Sequence, residues 1–337
     1  MGCRQSLDKA GLQLYAFFVH KIPVGVFGAS GYAGRELCGL LANHPHFSLA
    51  FATANAQRGE RAFIGGREVR FIATDDAPLR GAELVFSALP HGASATWVER
   101  AQEHGARVVD LSSDLRPGHT SLDIPYGLTE VNRAALSGAE IIANPGCYPT
   151  AILLSLLPLL EGGHLRADST IVVDAASGVT GAGNSPKPEL LFGEVTENYR
   201  AYGVGNEHRH LPEMQALVHR HTTAVDLLFT PHLLPVARGI LATVTVQLNA
   251  PLDDPLALWQ SRFAGEPFVE VTDTLPTLRD VQHRNVVRMT VRQAAQVRTP
   301  TLILLSAIDN LVKGAAGQAI QNANVSFGFN ETAGLPR

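Results

Sequence analysis

Cysteine is scarce in this 337-residue chain. The three present, Cys3, Cys38 and Cys147, are too few and too scattered for a disulfide framework or a four-cysteine zinc site, and a reducing cytoplasm suits them best. Charge is sparse as well, with 17% charged residues and a formal net charge of −4. That excludes a basic field able to hold nucleic acid or an anionic membrane, so an anionic ligand needs a local site. Near the N-terminus Leu12–Val19 is mostly apolar but too short to span a bilayer, and Gln13 interrupts it. Met1-Gly2-Cys3-Arg4-Gln5-Ser6 matches a myristoylation pattern, while no clear cleavage site follows. Residues 1–20 are therefore expected to be an extension ahead of the fold. Repeats and low-complexity segments are missing too. Small molecules and further copies of the chain are the expected partners, with no nucleic acid and no membrane.

What is present is a length suited to about two domains and a hydrophobic content of 45%, ordinary for a globular enzyme. From Ile22 onward, strand-like apolar runs alternate with helical patterns, which predicts an α/β fold with a parallel sheet. The first strand, Ile22 to Phe27, runs into Gly28-Ala29-Ser30-Gly31-Tyr32-Ala33-Gly34, and a helix follows through Leu41. Glycines in that place allow a tight turn and bring backbone N–H groups close to a pyrophosphate. The spacing is GxxGxxG rather than the commoner GxGxxG, and a simple tight turn is the plain alternative. The second strand, Phe47 to Thr53, ends without the acid an NAD site offers to the ribose hydroxyls. Thr53, Asn55 and Arg58 follow instead, a neutral-to-basic end that suits the 2′-phosphate of NADP(H). Further strands, Glu83 to Leu89 and Ala106 to Leu111, contribute Ser87 and Pro90-His91-Gly92 and lead into Ser112 to Pro117. All these loops are expected to line one crevice beyond the strand ends.

Asn144-Pro145-Gly146-Cys147-Tyr148-Pro149-Thr150 lies between the strand-like Ile141-Ile142-Ala143 and a long apolar helix, Ala151 to Leu160. Cys147 is expected just ahead of the first helical turn, where free N–H groups and the helix dipole favour a thiolate and lower the thiol pKa. The segment by itself fits a small buried hydrophobe equally well. Downstream, the strand Thr170 to Ala176 precedes the glycine-rich run Ser177-Gly178-Val179-Thr180-Gly181-Ala182-Gly183-Asn184, a candidate phosphate loop or a plain connector. Glu207-His208-Arg209-His210-Leu211-Pro212-Glu213 then concentrates groups for proton transfer and anion binding. A metal reading of the pair lacks a third ligand. The strand Gly239 to Leu248 alternates as a sheet with one packed face, and the chain closes with a strand, Thr301 to Ala307, and a small-residue helix from Asp309 to Asn322.

In sum, these motifs, together with Tyr126-Gly127-Leu128, Tyr202-Gly203, Pro231-His232 and Arg238-Gly239-Ile240, resemble those of the N-acetyl-gamma-glutamyl-phosphate reductases, NADP-dependent enzymes of arginine biosynthesis. The resemblance covers nearly everything after residue 21. It implies a Rossmann-type domain over 21–146 plus about 308–337, and a catalytic and dimerisation α/β domain over 147–307. The latter resembles the C-terminal domain of semialdehyde dehydrogenases and glyceraldehyde-3-phosphate dehydrogenase, and implies a homodimer or homotetramer. It further implies Cys147 as the residue attacking the acyl phosphate, His208 as general base and His210 as a substrate partner. Arg116, Ser177 and Gly178 are candidates for substrate or phosphate contacts. Gly28 to Gly34, Thr53, Arg58, Ser87, Pro90 and Asn310 are candidates for the cofactor. Asn184 stands where many members have arginine, with Lys187 the candidate substitute. The carrier-bound aminoadipyl phosphate reductases, aspartate-semialdehyde dehydrogenases and a non-catalytic NADP-binding regulator are the alternatives.

Overall fold

A computed structural model describes residues 21–337; the 1–20 extension, including Cys3 and the myristoylation-like start, lies outside the described residues. The first sheet contains β1 (Ile22–Phe27), β2 (Phe47–Thr53), β3 (Arg61–Ile64), β4 (Arg67–Ile72), β5 (Leu84–Ser87), β6 (Arg107–Asp110) and β7 (Ile141–Ala143), ordered β3-β4-β2-β1-β5-β6-β7. Its strands pair in parallel except for β3, which folds back on β4. The hairpin turn is Gly65-Gly66, both at positive φ, where glycine alone is unstrained. Helices α1 (Tyr32–Ala42), α2 (Ala95–Glu103) and α3 (Thr129–Leu136) are interleaved with these strands. Leu37 and Leu41 of α1 share one core with Val24 and Phe47, while Val98 and Ala101 of α2 join Phe27 and Val85 in another. The sheet is thus covered on both faces, as a parallel sheet requires.

The chain then enters α4 (Cys147–Glu161), in which every residue from Tyr148 to Leu160 is buried. A helix apolar on all sides must lie inside the fold, and each fully buried leucine stabilises by roughly 1.5–3 kcal/mol. What buries it is a second, mixed sheet. Its strands are β8 (Ser169–Gly178), β9 (Arg200–Ala201), β10 (Val225–Leu234), β11 (Ile240–Gln247), β12 (Val269–Val271), β13 (Val287–Gln293) and β14 (Thr301–Ile308), ordered β12-β13-β14-β11-β8-β10-β9. Of the helices α5 (Phe192–Val195), α6 (Leu211–His219) and α7 (Pro255–Arg262), the last two join α4 in the core beneath this sheet. Along β11 buried and half-buried residues alternate, so one face is packed and the other is open.

The final helix, α8 (Gly317–Ser326), sends Ala319, Ile320 and Ala323 into the core that holds β1 and α1. It begins after a π-helical turn, Val312–Ala316, rather than as the single helix expected from Asp309. That wider turn carries Lys313, fully buried, whose ammonium donates to Glu130 Oε1 at 2.6 Å and to Gln321 Oε1 at 2.8 Å. Burial pushes the Glu130 carboxyl up, but Lys313 and the surrounding donors outweigh it and hold the pKa below the usual 4.5. A carboxyl held down in the folded state stabilises above that value, and the contribution is lost as pH falls below it.

Breaking the pair by Lys313→Met leaves a buried carboxylate without a countercharge, which costs about 3–5 kcal/mol. Urea unfolding at neutral pH should read that loss, and adding Glu130→Leu should recover part of it. The gap from the native chain should narrow in acid below pH 4.5. An unchanged urea midpoint would show that the pair carries no stability.

Candidate active site

The loops beyond β1, β5, β6 and β7 open into one cleft of about 360 Å³, and Cys147 lies on its wall with the glycine turn. Cys147 is half-buried and is the first residue of α4, not the residue before it. The turn that delivers it is held from several sides. Asn144 N–H donates to the Asp110 carbonyl at 2.8 Å, and Arg116 Nε donates to the Asn144 carbonyl at 2.8 Å. Asn322 Nδ2 donates to Asn144 Oδ1 at 2.9 Å. The Gly146 N–H donates to Glu213 Oε1 at 2.9 Å. A Cβ at Gly146 would meet His210 Nε2 at 2.7 Å and Arg116 Nη1 at 2.9 Å, and one at Gly314 would meet Cys147 Cβ at 2.8 Å. Both positions require glycine because other groups press against the cysteine there.

His210, not His208, therefore stands over the cysteine turn. His210 is buried; its Nδ1 has no partner and its Nε2 is free of hydrogen bonds among the described residues. His208 lies behind it, with Nδ1 accepting the His210 backbone N–H at 3.1 Å. An N–H can only donate, so the proton of neutral His208 sits on Nε2. The His208 ring packs among Tyr148, Tyr202 and Phe229, and the Tyr148 and Tyr202 hydroxyls meet at 3.0 Å.

The electrostatics differ from the expectation for the thiol. Burial pushes the Cys147 pKa above 9.0, while Arg209, Arg116 and the Tyr148 N–H pull in the other direction without winning. Packing against Gly314 and the core around α4 strips water from the sulfur more than the helix start compensates. Burial lowers His208 to about 4, with Arg209 adding to it, and drives His210 well below its ordinary value with help from Arg116. The lowered values favour the neutral form of both rings, the form with a nitrogen able to accept a proton.

On the cofactor side, Gly28 takes φ +69° and Gly34 packs its Cα against Gly28 and Ala29, which seats α1 close to β1. Helix α1 starts after Gly31 without a side-chain cap or a first-turn acid, so its first N–H groups remain for an anion such as a pyrophosphate. Gly31, Tyr32, Ala33, Gly34, Pro90 and Asn310 line the cleft. The Asn310 amide is already engaged, accepting from Gly239 N–H at 2.8 Å and donating to Thr180 Oγ1 at 2.9 Å.

Several expected site residues are not brought to the cleft wall. Thr53 is fully buried, its hydroxyl 3.1 Å from that of Thr74, and it supports the glycine turn through its carbonyl, which accepts the Ala29 N–H at 2.8 Å. The Ser87 hydroxyl is 2.6 Å from that of Ser94, which donates to the buried Asp110 carboxylate at 2.6 Å. Ser177 and Gly178 finish β8 instead of opening a loop; Ser177 Oγ donates to the Gly178 carbonyl, and Gly178 abuts the Ala237 backbone. Arg58 is exposed on the loop after β2. Lys187 and Asn184 do reach the cleft, and Asn184 Nδ2 donates to the Ser30 carbonyl at 3.1 Å, linking the two halves of the chain.

Three residues of the site went unassigned in the sequence. Glu213 is fully buried and binds Gly146 N–H, Arg116 and Tyr126. Arg209 lines the cleft without an ion pair, and His91 shares that wall. The spacing of Glu213, three residues after His210 in the first turn of a helix, was the available signal for the first of them.

Because burial raises the Cys147 pKa, alkylation of the substrate-free protein by iodoacetamide should accelerate steadily past pH 9.0. It should be followed on the Cys147 peptide by mass spectrometry. Arg209→Ala should slow it at every pH by removing the guanidinium that opposes the shift. A rate already flat near neutral pH would contradict the raised value.

Comparison with known proteins places this arrangement. Residues 23–139 match the semialdehyde dehydrogenase NAD binding domain, and residues 147–310 match the semialdehyde dehydrogenase dimerisation domain. The N-acetyl-gamma-glutamyl-phosphate reductase of Halorhodospira halophila is 43% identical over 93% of this chain and 98% of its own. That of Marinobacter nauticus is 41% identical over 93% and 98%. Among solved structures, aspartate semialdehyde dehydrogenase II of Vibrio cholerae complexed with ASA shares the fold, with a TM-score of 0.74 at 22% identity, covering 91% of this chain and 98% of its own. The Candida albicans aspartate semialdehyde dehydrogenase with NADP superposes with a TM-score of 0.66 at 16% identity, covering 91% and 98%. On sequence identity that runs the length of its relatives, the chain belongs to the N-acetyl-gamma-glutamyl-phosphate reductase family, built from the two semialdehyde dehydrogenase domains.

Proposed function

We propose that this chain uses NADPH to reduce N-acetyl-gamma-glutamyl phosphate to N-acetyl-glutamate 5-semialdehyde and phosphate, with Cys147 as acyl acceptor. The observation that carries the reading is a half-buried cysteine at the start of α4, in the same cleft as an uncapped glycine turn, with His210 Nε2 against its turn. Residues 21–146 with about 308–337 form the cofactor domain in this reading, and 147–307 the catalytic and dimerisation domain. The more open face of the second sheet, with Leu228 exposed and Ile303 half-buried, suits a homodimer contact. No described helix is long and apolar enough to cross a membrane; a reducing cytosol would keep Cys147 a thiol.

His210 takes the thiol proton as Sγ attacks the acyl carbon. First-turn N–H groups of α4, which has no side-chain cap, stabilise the tetrahedral oxyanion. Collapse breaks the bond between acyl carbon and phosphoryl oxygen, phosphate departs, and an acyl thioester remains on Cys147. Gly31 to Gly34 would hold the pyrophosphate of the bound cofactor with Pro90 beside it, and the cofactor would supply the hydride that reduces the thioester. When the aldehyde leaves, the sulfur departs as thiolate and recovers its proton from His210. His208 orients His210 through the hydrogen bond between its Nδ1 and the His210 N–H. Arg58, beyond a β2 end without an acid, binds the 2′-phosphate of NADPH, and Lys187 serves the phosphate in place of the missing loop arginine.

Phosphate-dependent NADP reduction by N-acetylglutamate semialdehyde tests the reading. Cys147→Ser should abolish it. His210→Asn should lower kcat by about 10²–10⁴, the usual worth of a general base, and His208→Asn by less. NADP should be preferred to NAD, and aspartate semialdehyde should be a poor substrate. Full activity in Cys147→Ser, or equal use of aspartate semialdehyde, would overturn it.

A further inference from the structure

His91 lies on the cleft wall with Arg116, Arg209 and Lys187, in the loop that follows β5. Its Nδ1 accepts the Ser113 backbone N–H at 2.8 Å and lies 3.0 Å from the Ser113 hydroxyl. A backbone N–H has no acceptor form, so Nδ1 carries no proton and Nε2 must carry one. Among the described residues nothing accepts from that Nε2–H. His91 is exposed on the cleft wall; partial desolvation there, with Arg209 and Arg116 adding to it, lowers its pKa to about 4 and favours the neutral ring.

Among the described residues, no Asp or Glu side chain lines the cleft. Asp114, the nearest carboxylate, is committed to the N–H groups of Gly92, Ser94 and Ala95 at 2.7, 3.0 and 3.4 Å. Glu213 is buried and engaged by Gly146, Tyr126 and Arg116. Arg209 makes no hydrogen bond through its side chain among the described residues. A wall with a fixed N–H, an unpaired guanidinium and a lysine, and no free carboxylate, fits an anion.

The proposed substrate has two anionic ends, and the location of His91 distinguishes them. His91 lines the same cleft as Cys147 and His210 and lies close enough to His210, whose Nε2 faces Gly146 beside Cys147, to act on its charge. This donor set therefore flanks the reacting carbon, where the phosphoryl group must lie because one oxygen joins it to that carbon. We propose that His91 Nε2–H, oriented by Ser113, is a donor to the phosphoryl group of the acyl phosphate and to the departing phosphate. The proposal rests on the acyl-phosphate reading above.

Full-length protein is assayed with NADP, N-acetylglutamate semialdehyde and varied inorganic phosphate. His91→Phe keeps a ring and loses the donor; His91→Asn keeps an N–H of similar reach. The KM for phosphate should rise about tenfold or more in His91→Phe, the worth of one hydrogen bond to a charged group, with a smaller rise in His91→Asn. The KM for semialdehyde should stay within about twofold of the native value, since that hydrogen bond serves the phosphate alone. Protection of the Cys147 peptide from iodoacetamide by inorganic phosphate alone should require a correspondingly higher concentration in His91→Phe. Unchanged phosphate dependence, or a rise confined to the semialdehyde KM, would overturn the assignment and give His91 to the other carboxylate end. If the native protein protected its cysteine with phosphate yet reduced no NADP, the function would fail while the protection data still judged His91.

Discussion

Glu213 holds a fully buried carboxylate that accepts from the Gly146 amide, the Tyr126 hydroxyl and the Arg116 guanidinium, and those three donors come from separate parts of the chain. The carboxylate sits in the first turn of α6, two helices after the one that the cysteine begins. A buried charge without partners would be prohibitive, so the three donors and the carboxylate fix one another. The Gly146 turn is thereby set against α6, which brings His210, three residues earlier, over the same glycine. Cys147, its candidate base and the cationic wall are positioned by this one group. The cofactor half is joined to the same framework through Arg116 and through the Asn322 contact with Asn144 from α8.

Burial sets the chemistry as much as hydrogen bonding does. It raises the Cys147 thiol and lowers both histidines, while Arg209 and Arg116 favour an anion at the sulfur. Under the proposed function, such a site does not store a thiolate; it keeps a thiol and a neutral acceptor side by side until an acyl group arrives. The thiolate then forms as it reacts, and a protonated thiol is less open to oxidation in between.

Local pattern carried most of the fold. The strand β2 begins and ends where alternating apolar residues put it, and the all-apolar run after Pro149 became α4, because hydrophobic periodicity is a local property. The strands β3 and β4 are short, charged and at the edge, and their apolar signal is weak. At the site, the glycine turn and the cysteine were legible from spacing, since tight turns and helix starts are written in adjacent residues. Long-range pairing was not. Nothing near Thr53 announces Thr74, nothing near Ser87 announces Asp110, and which of His208 and His210 faces Gly146 depends on how the α6 start turns. The thiol shift was misjudged for the same reason: the helix start is local, while the Gly314 backbone that crowds Cys147 arrives from the far end of the chain.

The central claim is covalent: an acyl group resides on Cys147 between phosphate release and reduction. Intact-mass and peptide analysis of protein mixed with N-acetyl-gamma-glutamyl phosphate, acid-quenched before any NADPH is added, tests it most directly. The account predicts an N-acetylglutamyl adduct on the peptide containing Cys147, formed with release of one equivalent of phosphate and lost on adding NADPH as semialdehyde appears. Semialdehyde formation with no adduct on that cysteine, at quench times that span the turnover, would contradict it.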